Sequence, residues 1–253
     1  MEHGCEGKPV EVISNGVLTE RFAKVDDAVS IDKALALVNS HGRSKNQVCR
    51  DDTVVLSAGM QMERKGLLEF IELARSNPDF EFVWAGKTTA IARQSRINRA
   101  LYHARAIKNL HFPGYVEPKI MPALCRLASV VLFLTSEETE GLVALEALAS
   151  KTPLIVSDIG VFDDWLESGK NCEKVPARSE IRNGTISYRD YLQTVSGTIR
   201  RAVETQDPGI VQCGYATACE RDVSRVGIQL VDLYKRLLNG EGKQSKTRLT
   251  VSG

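Results

Sequence analysis

Residues 130–150 read VVLFLTSEETEGLVALEALAS and combine a strand, a polar turn and a helix in one short segment. The apolar run Val130–Leu134 is typical of a buried strand. From Gly141 to Ala149 the apolar residues recur at helical spacing. In an open parallel sheet, ligands bind where strands end. The polar elbow between the two elements is therefore a candidate site, and it carries three carboxylates, Glu137, Glu138 and Glu140.

The elbow has the features of an anion-binding site. Gly141 allows a ligand to approach the backbone closely, and the first N–H groups of the following helix have no partner inside the helix. A diphosphate can dock on such groups. Glu138 lies before the helix and Glu146 within it, and an ionised carboxylate only accepts hydrogen bonds, so both would suit hydroxyl donors such as those of a sugar. The alternative is a plain helix with acids near its start, which are favourable by only about 0.3–1 kcal/mol each.

Glu138 and Glu146 stand eight positions apart around Gly141. This spacing resembles the E-x7-E motif of retaining GT-B glycosyltransferases of family 4. The longer string EETEGLVALEALASKTP resembles bacterial 1,2-diacylglycerol glucosyltransferases, and the resemblance covers about residues 9–238. It implies the donor-binding, C-terminal half of such an enzyme, with the fold of its Rossmann-like domain.

Composition excludes several other classes. The chain has 253 residues, 43% of them hydrophobic and 26% charged, and its net charge of +1 does not indicate a nucleic-acid partner. It has no apolar run near the roughly 20 residues of a membrane span, and its N-terminus does not resemble a signal peptide. Six cysteines without a CxxC pair and four histidines predict no metal site and a reduced, cytoplasmic environment.

The alternation of strands and helices predicts an α/β fold with a doubly wound parallel sheet. No Gly-x-Gly-x-x-Gly or P-loop pattern follows a strand, which argues against a dinucleotide oxidoreductase or an NTPase. Two or three helices are expected over 185–206 and 209–239, and a basic helix over Thr88–Ile107. The predicted strands are Pro9–Ile13, Thr53–Ala58, Phe80–Ala85, Asn109–Phe112, Val130–Leu134, Leu154–Val156 and Cys172–Val175.

The domain prediction follows from the resemblance. Residues 1–16 are assigned to a first strand and the remnant of a hinge, because a strand ending in Asn-Gly-Val enters the C-terminal domain of the family. Residues 17–239 are assigned to the donor-binding domain, and the polar residues 240–253 to a disordered tail. A full GT-B enzyme carries an acceptor-binding domain before the hinge, so the sequence is expected to represent the donor-binding half alone.

The resemblance also implies site residues around the first strands. Lys65, at the end of the turn that begins at Gly59, approaches the donor diphosphate as a flexible point charge. Many family members place an arginine where this chain has Met60, and Arg64 is the candidate replacement. The uracil is expected against the loop formed by Gly114, Tyr115 and Val116.

The remaining site residues belong to the elbow. The resemblance implies that the amides of Gly141, Leu142 and Val143 bind the diphosphate and that Glu146 binds the ribose. Glu138 is expected to bind the glucose and, with Lys65, to act in catalysis. No cofactor or metal is required, because cations and helix amides meet the diphosphate.

The predicted function is retaining hexosyl transfer from UDP-glucose to a lipid such as 1,2-diacylglycerol. The lipid would bind through the missing N-terminal domain, which would also provide any peripheral contact with the inner face of the cell membrane. One alternative is a UDP-sugar binding module that is inactive without a separate acceptor domain. A weaker alternative is a UDP-sugar epimerase-like protein.

Overall fold

A computed structural model of the chain describes residues 11–24, 28–40, 47–88 and 95–239. Its centre is a six-stranded sheet in the order β3-β2-β1-β4-β5-β6, and every neighbouring pair of strands is parallel. The strands are β1 Val54–Ala58, β2 Glu81–Ala85, β3 Leu110–Gly114, β4 Val130–Phe133, β5 Leu154–Ser157 and β6 Glu173–Val175.

Helices cover both faces of this sheet. The described helices are α1 Thr19–Ala23, α2 Ala28–Ser40, α3 Leu67–Ser76, α4 Ser95–Ala104, α5 Met121–Leu127, α6 Leu142–Ala149, α7 Arg178–Arg182, α8 Tyr188–Thr205, α9 Pro208–Glu220 and α10 Val223–Leu238. The doubly wound α/β prediction is thereby confirmed.

Alternate residues of each strand feed two separate cores, because successive side chains of a strand point to opposite faces. In β1, Leu56 packs into the core that α2, α5 and α6 cover, whereas Val55 packs into the core that α3 and α8 cover. All five residues of β1 are buried. This burial on both faces explains why the strand is apolar at every position except Ser57 rather than alternating.

The predicted elements differ from the structure in three places. The strand expected at Pro9–Ile13 was wrong over 11–13, which are irregular, and its first two residues lie outside the described ones. The basic helix expected over Thr88–Ile107 is observed as α4, although part of that range is not described. The short helices α1 and α7 were not predicted, and the tail 240–253 lies outside the described residues.

The strand order produces a crevice beside β1. The chain leaves β1 toward β2 on one side and later returns to its other side as β4. The loops after β1 and β4 therefore diverge above neighbouring strands, which is where open parallel sheets bind ligands.

Gly66 is the point where these two loops touch. It ends the 3-10 turn Glu63–Lys65, begins α3 and has φ of +82°. A Cβ there would lie 2.5 Å from the carbonyl oxygen of Leu134, at the end of β4. Only glycine permits both the backbone conformation and this approach.

We expect Gly66→Ala to lower the free energy of unfolding by roughly 2 kcal/mol or more, because it adds left-handed strain to a clash with main chain. Urea denaturation measures the change. The matched control is Gly197→Ala inside α8, where an added Cβ meets nothing within 4 Å. That substitution should stabilise the chain by about 0.5–1 kcal/mol. Equal effects at the two positions would contradict this account of Gly66.

Candidate functional site

Two loops form the centre of the candidate site, the turn after β1 and the elbow after β4. The carbonyl oxygen of Arg64 accepts hydrogen bonds from the amide and the hydroxyl of Ser136, at 2.7 and 3.2 Å. The guanidinium of Arg64 donates to the carbonyl of Glu137 at 3.0 Å. Arg64 thus binds the main chain of the elbow, and its use in place of the cation missing at Met60 stays a prediction.

Lys65 and Glu138 meet directly as an ion pair across the two loops. Their side chains are only 13% and 11% exposed, respectively. The Lys65 ammonium also lies 5.5 Å from the centroid of the Phe133 ring, within the range of a cation–π contact. The two residues that the sequence predicted as catalytic are therefore brought together in a site that is largely shielded from solvent.

The other two elbow carboxylates have different surroundings. Glu140 accepts hydrogen bonds from the amide and the side-chain nitrogen of Asn15, at 2.7 and 2.8 Å. It therefore holds the segment that the sequence identified as a hinge. The side chain of Glu137 is exposed, and only its carbonyl takes part in the contact between the loops. Of the three acids, Glu138 alone contacts Lys65.

The start of α6 retains free amide groups. Gly141 precedes the helix with φ of +82°, and no side chain caps it. A Cβ on Gly141 would lie 2.6 Å from the Phe162 ring, so glycine is required here as well. Within the described residues, no group accepts a hydrogen bond from the N–H of Leu142 or Val143. These amides, with the helix dipole, form a place for an anion.

A cleft of about 320 Å³ opens beside the elbow. Four of the predicted donor-binding residues line it, namely Gly59, Tyr115, Val116 and Glu146. Lys65 joins this cleft to the elbow, because its Cδ lies 3.9 Å from the position of a Cβ on Gly59. The predicted Gly114 has φ of +77° just before the Tyr115 loop and does not itself line the cleft.

The sequence did not identify every residue of this cleft. Lys87 and Met121 also line it, and the Lys87 ammonium lies 5.7 Å from the centroid of the Tyr115 ring. Lys87 comes two residues after the end of β2. The rule that ligands bind at strand ends could have found it. Met121 had no comparable signal, because apolar helix residues usually belong to a core.

Glu146 has an unusual environment on α6. Burial raises the pKa of its carboxyl to about 7, and the positive charge of Arg21 on α1 opposes that shift. Among the described residues, no hydrogen bond to this carboxylate contributes to the shift. A ligand with hydroxyl groups in the cleft would provide donors and favour the ionised form.

Two features are absent from the described ranges. No group of three or more His, Cys, Asp and Glu side chains there could hold a metal ion. None of the helices described there combines the length and the apolar character that crossing a membrane requires. The predicted independence from metal and the predicted localisation stay predictions.

Comparison with solved structures identifies the fold. Sucrose-phosphate synthase of Thermosynechococcus elongatus superposes with a TM-score of 0.71 at 20% identity, over 91% of this chain and 53% of that one. HepE of Anabaena, in complex with UDP and glucose, superposes with a TM-score of 0.69 at 17% identity, over 89% of this chain and 56% of HepE. The α/β fold is therefore shared with these GT-B glycosyltransferases over about half of their length, as the sequence indicated.

Comparison of sequences identifies the family. Residues 41–182 match the family described as Glycosyl transferases group 1. The chain belongs to this family.

Two curated relatives act in glycolipid synthesis. The processive diacylglycerol alpha-glucosyltransferase of Acholeplasma laidlawii is 29% identical over 91% of this chain and 61% of its own length. The alpha-galactosylglucosyldiacylglycerol synthase of Streptococcus pneumoniae is 27% identical over 75% of this chain and 52% of its own length. The chain thus spans roughly half to three fifths of the length of these relatives.

The raised pKa of Glu146 leads to a pH-dependent prediction. The unfolded chain loses this proton near the ordinary value of 4.5 and the folded chain only near 7, so wild-type stability falls as pH rises between the two values. Glu146→Gln has no carboxyl at this position, so its stability does not fall in this pH range. Its unfolding free energy relative to wild type should rise by about 1–3 kcal/mol between about pH 5 and about pH 8.

Urea denaturation at both pH values measures this difference. Glu204→Gln, at an exposed position on α8, is the control and should change by less than about 0.5 kcal/mol. A Glu146→Gln difference that does not vary with pH would show that burial does not perturb this carboxyl.

Proposed function

We propose that this chain is the donor-binding part of a retaining glycosyltransferase that transfers glucose from UDP-glucose to a diacylglycerol-type lipid. The observation that carries the proposal is one arrangement at the edge of the sheet. The Lys65–Glu138 pair, the free amides at the start of α6 and the cleft lined by Glu146 all meet beside β1 and β4. One nucleotide sugar can contact all three.

The diphosphate is assigned to Lys65 and the amides of Leu142 and Val143. In the free protein, Lys65 already has a negative partner in Glu138. A diphosphate is a second anion for the same ammonium, and the helix amides share its charge. When the bond between the sugar and UDP breaks, negative charge grows on the departing UDP. Donors that are already oriented toward that charge lower the barrier.

The two glutamates of the E-x7-E spacing are assigned to the two ends of the ligand. Glu146 lies in the same cleft as Tyr115 and Val116, which are assigned to the uracil, so it is suited to the ribose hydroxyls. Glu138 lies at the elbow beside Lys65 and is assigned to the glucose. Retention requires that the acceptor hydroxyl reach the sugar on the face that UDP leaves. Glu138 is proposed to orient the anomeric carbon for that attack.

The lipid acceptor is proposed from the relatives, whose names specify diacylglycerol glycolipids. A separate acceptor-binding domain is proposed to complete the cleft and exclude water. The exposed apolar face of α10 supports such a domain, because apolar surface of this kind usually marks an interface. That face presents Ile228, Val231, Tyr234, Leu237 and Leu238.

The first test is UDP binding by calorimetry. We expect Glu146→Ala to weaken the affinity for UDP about tenfold, because a charged acceptor for the ribose hydroxyls is lost. Glu204→Ala on α8, far along the chain from the cleft residues, should leave the affinity unchanged. If the Glu146→Ala affinity equals that of wild type, the assignment of the ribose to this carboxylate is wrong.

The second test separates transfer from binding alone. The chain is assayed for release of UDP from UDP-glucose with diacylglycerol vesicles, with and without an acceptor-binding half from a diacylglycerol glucosyltransferase. Turnover only with the added half supports the binding-module alternative for the isolated chain. Turnover of UDP-N-acetylglucosamine without any acceptor would instead support an epimerase-like protein.

A further inference from the structure

A buried cluster behind the β1 turn, distinct from the cleft, involves Arg178, Glu63 and Glu69. Arg178 is the first residue of α7, yet its side chain crosses to the turn after β1 and is only 8% exposed. Its Nε lies 3.0 Å from Oε1 of Glu69 on α3, whose side chain is 3% exposed. The proposed function assigns no role to this arginine.

The same guanidinium holds the turn that carries Lys65. One terminal nitrogen of Arg178 donates to the carbonyl oxygen of Glu63, and the other lies 3.2 Å from Oε1 of the Glu63 side chain. All three nitrogen atoms of the planar fork are therefore engaged at once. A lysine cannot make these three contacts with a single ammonium group.

Other contacts also support the turn. Two hydrogen bonds are internal to it: Lys65 N donates to Met62 O at 3.2 Å, and Gly66 N donates to Glu63 O at 3.0 Å. No side chain caps the N-terminal end at Met62. Ser136 holds one side of the turn through the carbonyl of Arg64. On the other side the exposed Arg96 lies 2.8 Å from Oε1 of Glu63, and the buried Arg178 contacts both that carboxylate and the carbonyl of Glu63.

Glu69 is a buried partner of the arginine. Burial raises the pKa of Glu69, and the positive charge of Arg178 opposes that shift. The second oxygen of Glu69 and the hydroxyl of Tyr191 on α8 are buried without a hydrogen-bond partner among the described residues. Breaking a buried charge pair of this kind is costly, because removing one partner leaves an uncompensated buried charge.

We propose that Arg178 is a positioning residue that sets the backbone of the Glu63–Lys65 turn, so that Lys65 is directed at the anion-binding elbow. The lysine side chain is long and flexible. The position of the Lys65 Cα therefore decides whether its ammonium can contact a diphosphate bound at the elbow. The inference rests on the proposed UDP binding and adds a contact that reaches the site from the far edge of the sheet, where α7 follows β6.

The test is a double-mutant cycle on UDP affinity, measured by calorimetry on the full chain. Arg178→Lys keeps a positive charge beside Glu69 but removes the fork. We expect it to weaken UDP binding about tenfold, the size expected when a charged hydrogen bond to the ligand is lost. In a Lys65→Ala background the same change should alter affinity less than about twofold, because the residue that it positions is absent.

The matched control is Arg200→Lys on α8. Arg200 also uses its fork on a carboxylate, at 2.7 and 2.8 Å from Asp79, but the pair is exposed and the residue belongs to no part of the proposed site. UDP affinity should be unchanged. Thermal melting shows whether Arg178→Lys folds. If it does not, the double variant Arg178→Met with Glu69→Gln is used instead, because it leaves no unpaired buried carboxylate.

The outcomes are separable. If wild type binds UDP and Arg178→Lys binds it equally well, the positioning role is overturned while the proposed function stands. If Arg178→Lys lowers UDP affinity equally in the wild-type and Lys65→Ala backgrounds, the positioning role is also overturned. Such an effect would not depend on Lys65. If wild type itself does not bind UDP, the proposed function fails and the inference fails with it.

Discussion

The contact between the end of β1 and the end of β4 is the constraint on which the rest of the site depends. The two strands are paired in parallel, with Val55 opposite Val130, so their loops leave the sheet side by side. Gly66 then packs against the carbonyl of Leu134, at a distance that no other residue allows. Because the main chains are this close, the side chain of Lys65 on one loop reaches Glu138 on the other.

The charges of two largely buried carboxylates in the site, Glu138 and Glu146, are compensated in different ways. Glu138 has a cation beside it, and the resulting pair is stable only while both partners are present. Glu146 has no donor among the described residues, and its raised pKa lets it hold a proton instead. One end of the site is thus neutralised by pairing, and burial shifts the other end toward its protonated form. A ligand that brings an anion to Lys65 and hydroxyl donors to Glu146 would complement both ends, which is the pattern of a nucleotide sugar.

Much of the fold was predictable, for reasons that individual elements make clear. The apolar runs of β1, β2 and β4 are visible in the sequence because both faces of these strands are buried. Residues 11–13 also looked like part of a strand, but they form none. The isolated β-bridge near this segment joins Val17 to Asp222 instead. The helix α7 escaped prediction because it has only five residues and a largely charged sequence.

The sequence by itself determined the alternation of strands and helices, the two glycines that the close approaches need, and the eight-residue spacing of Glu138 and Glu146. These are local features, since periodicity and backbone conformation are set by residues near one another in the chain. Only the tertiary structure decided that Glu138 pairs with Lys65, that Glu140 binds Asn15 and that Arg178 reaches Glu63 across a separation of 115 positions. Acids of the same type in one short elbow are indistinguishable by pattern. Their partners are chosen by the order of the strands, which brings distant loops together.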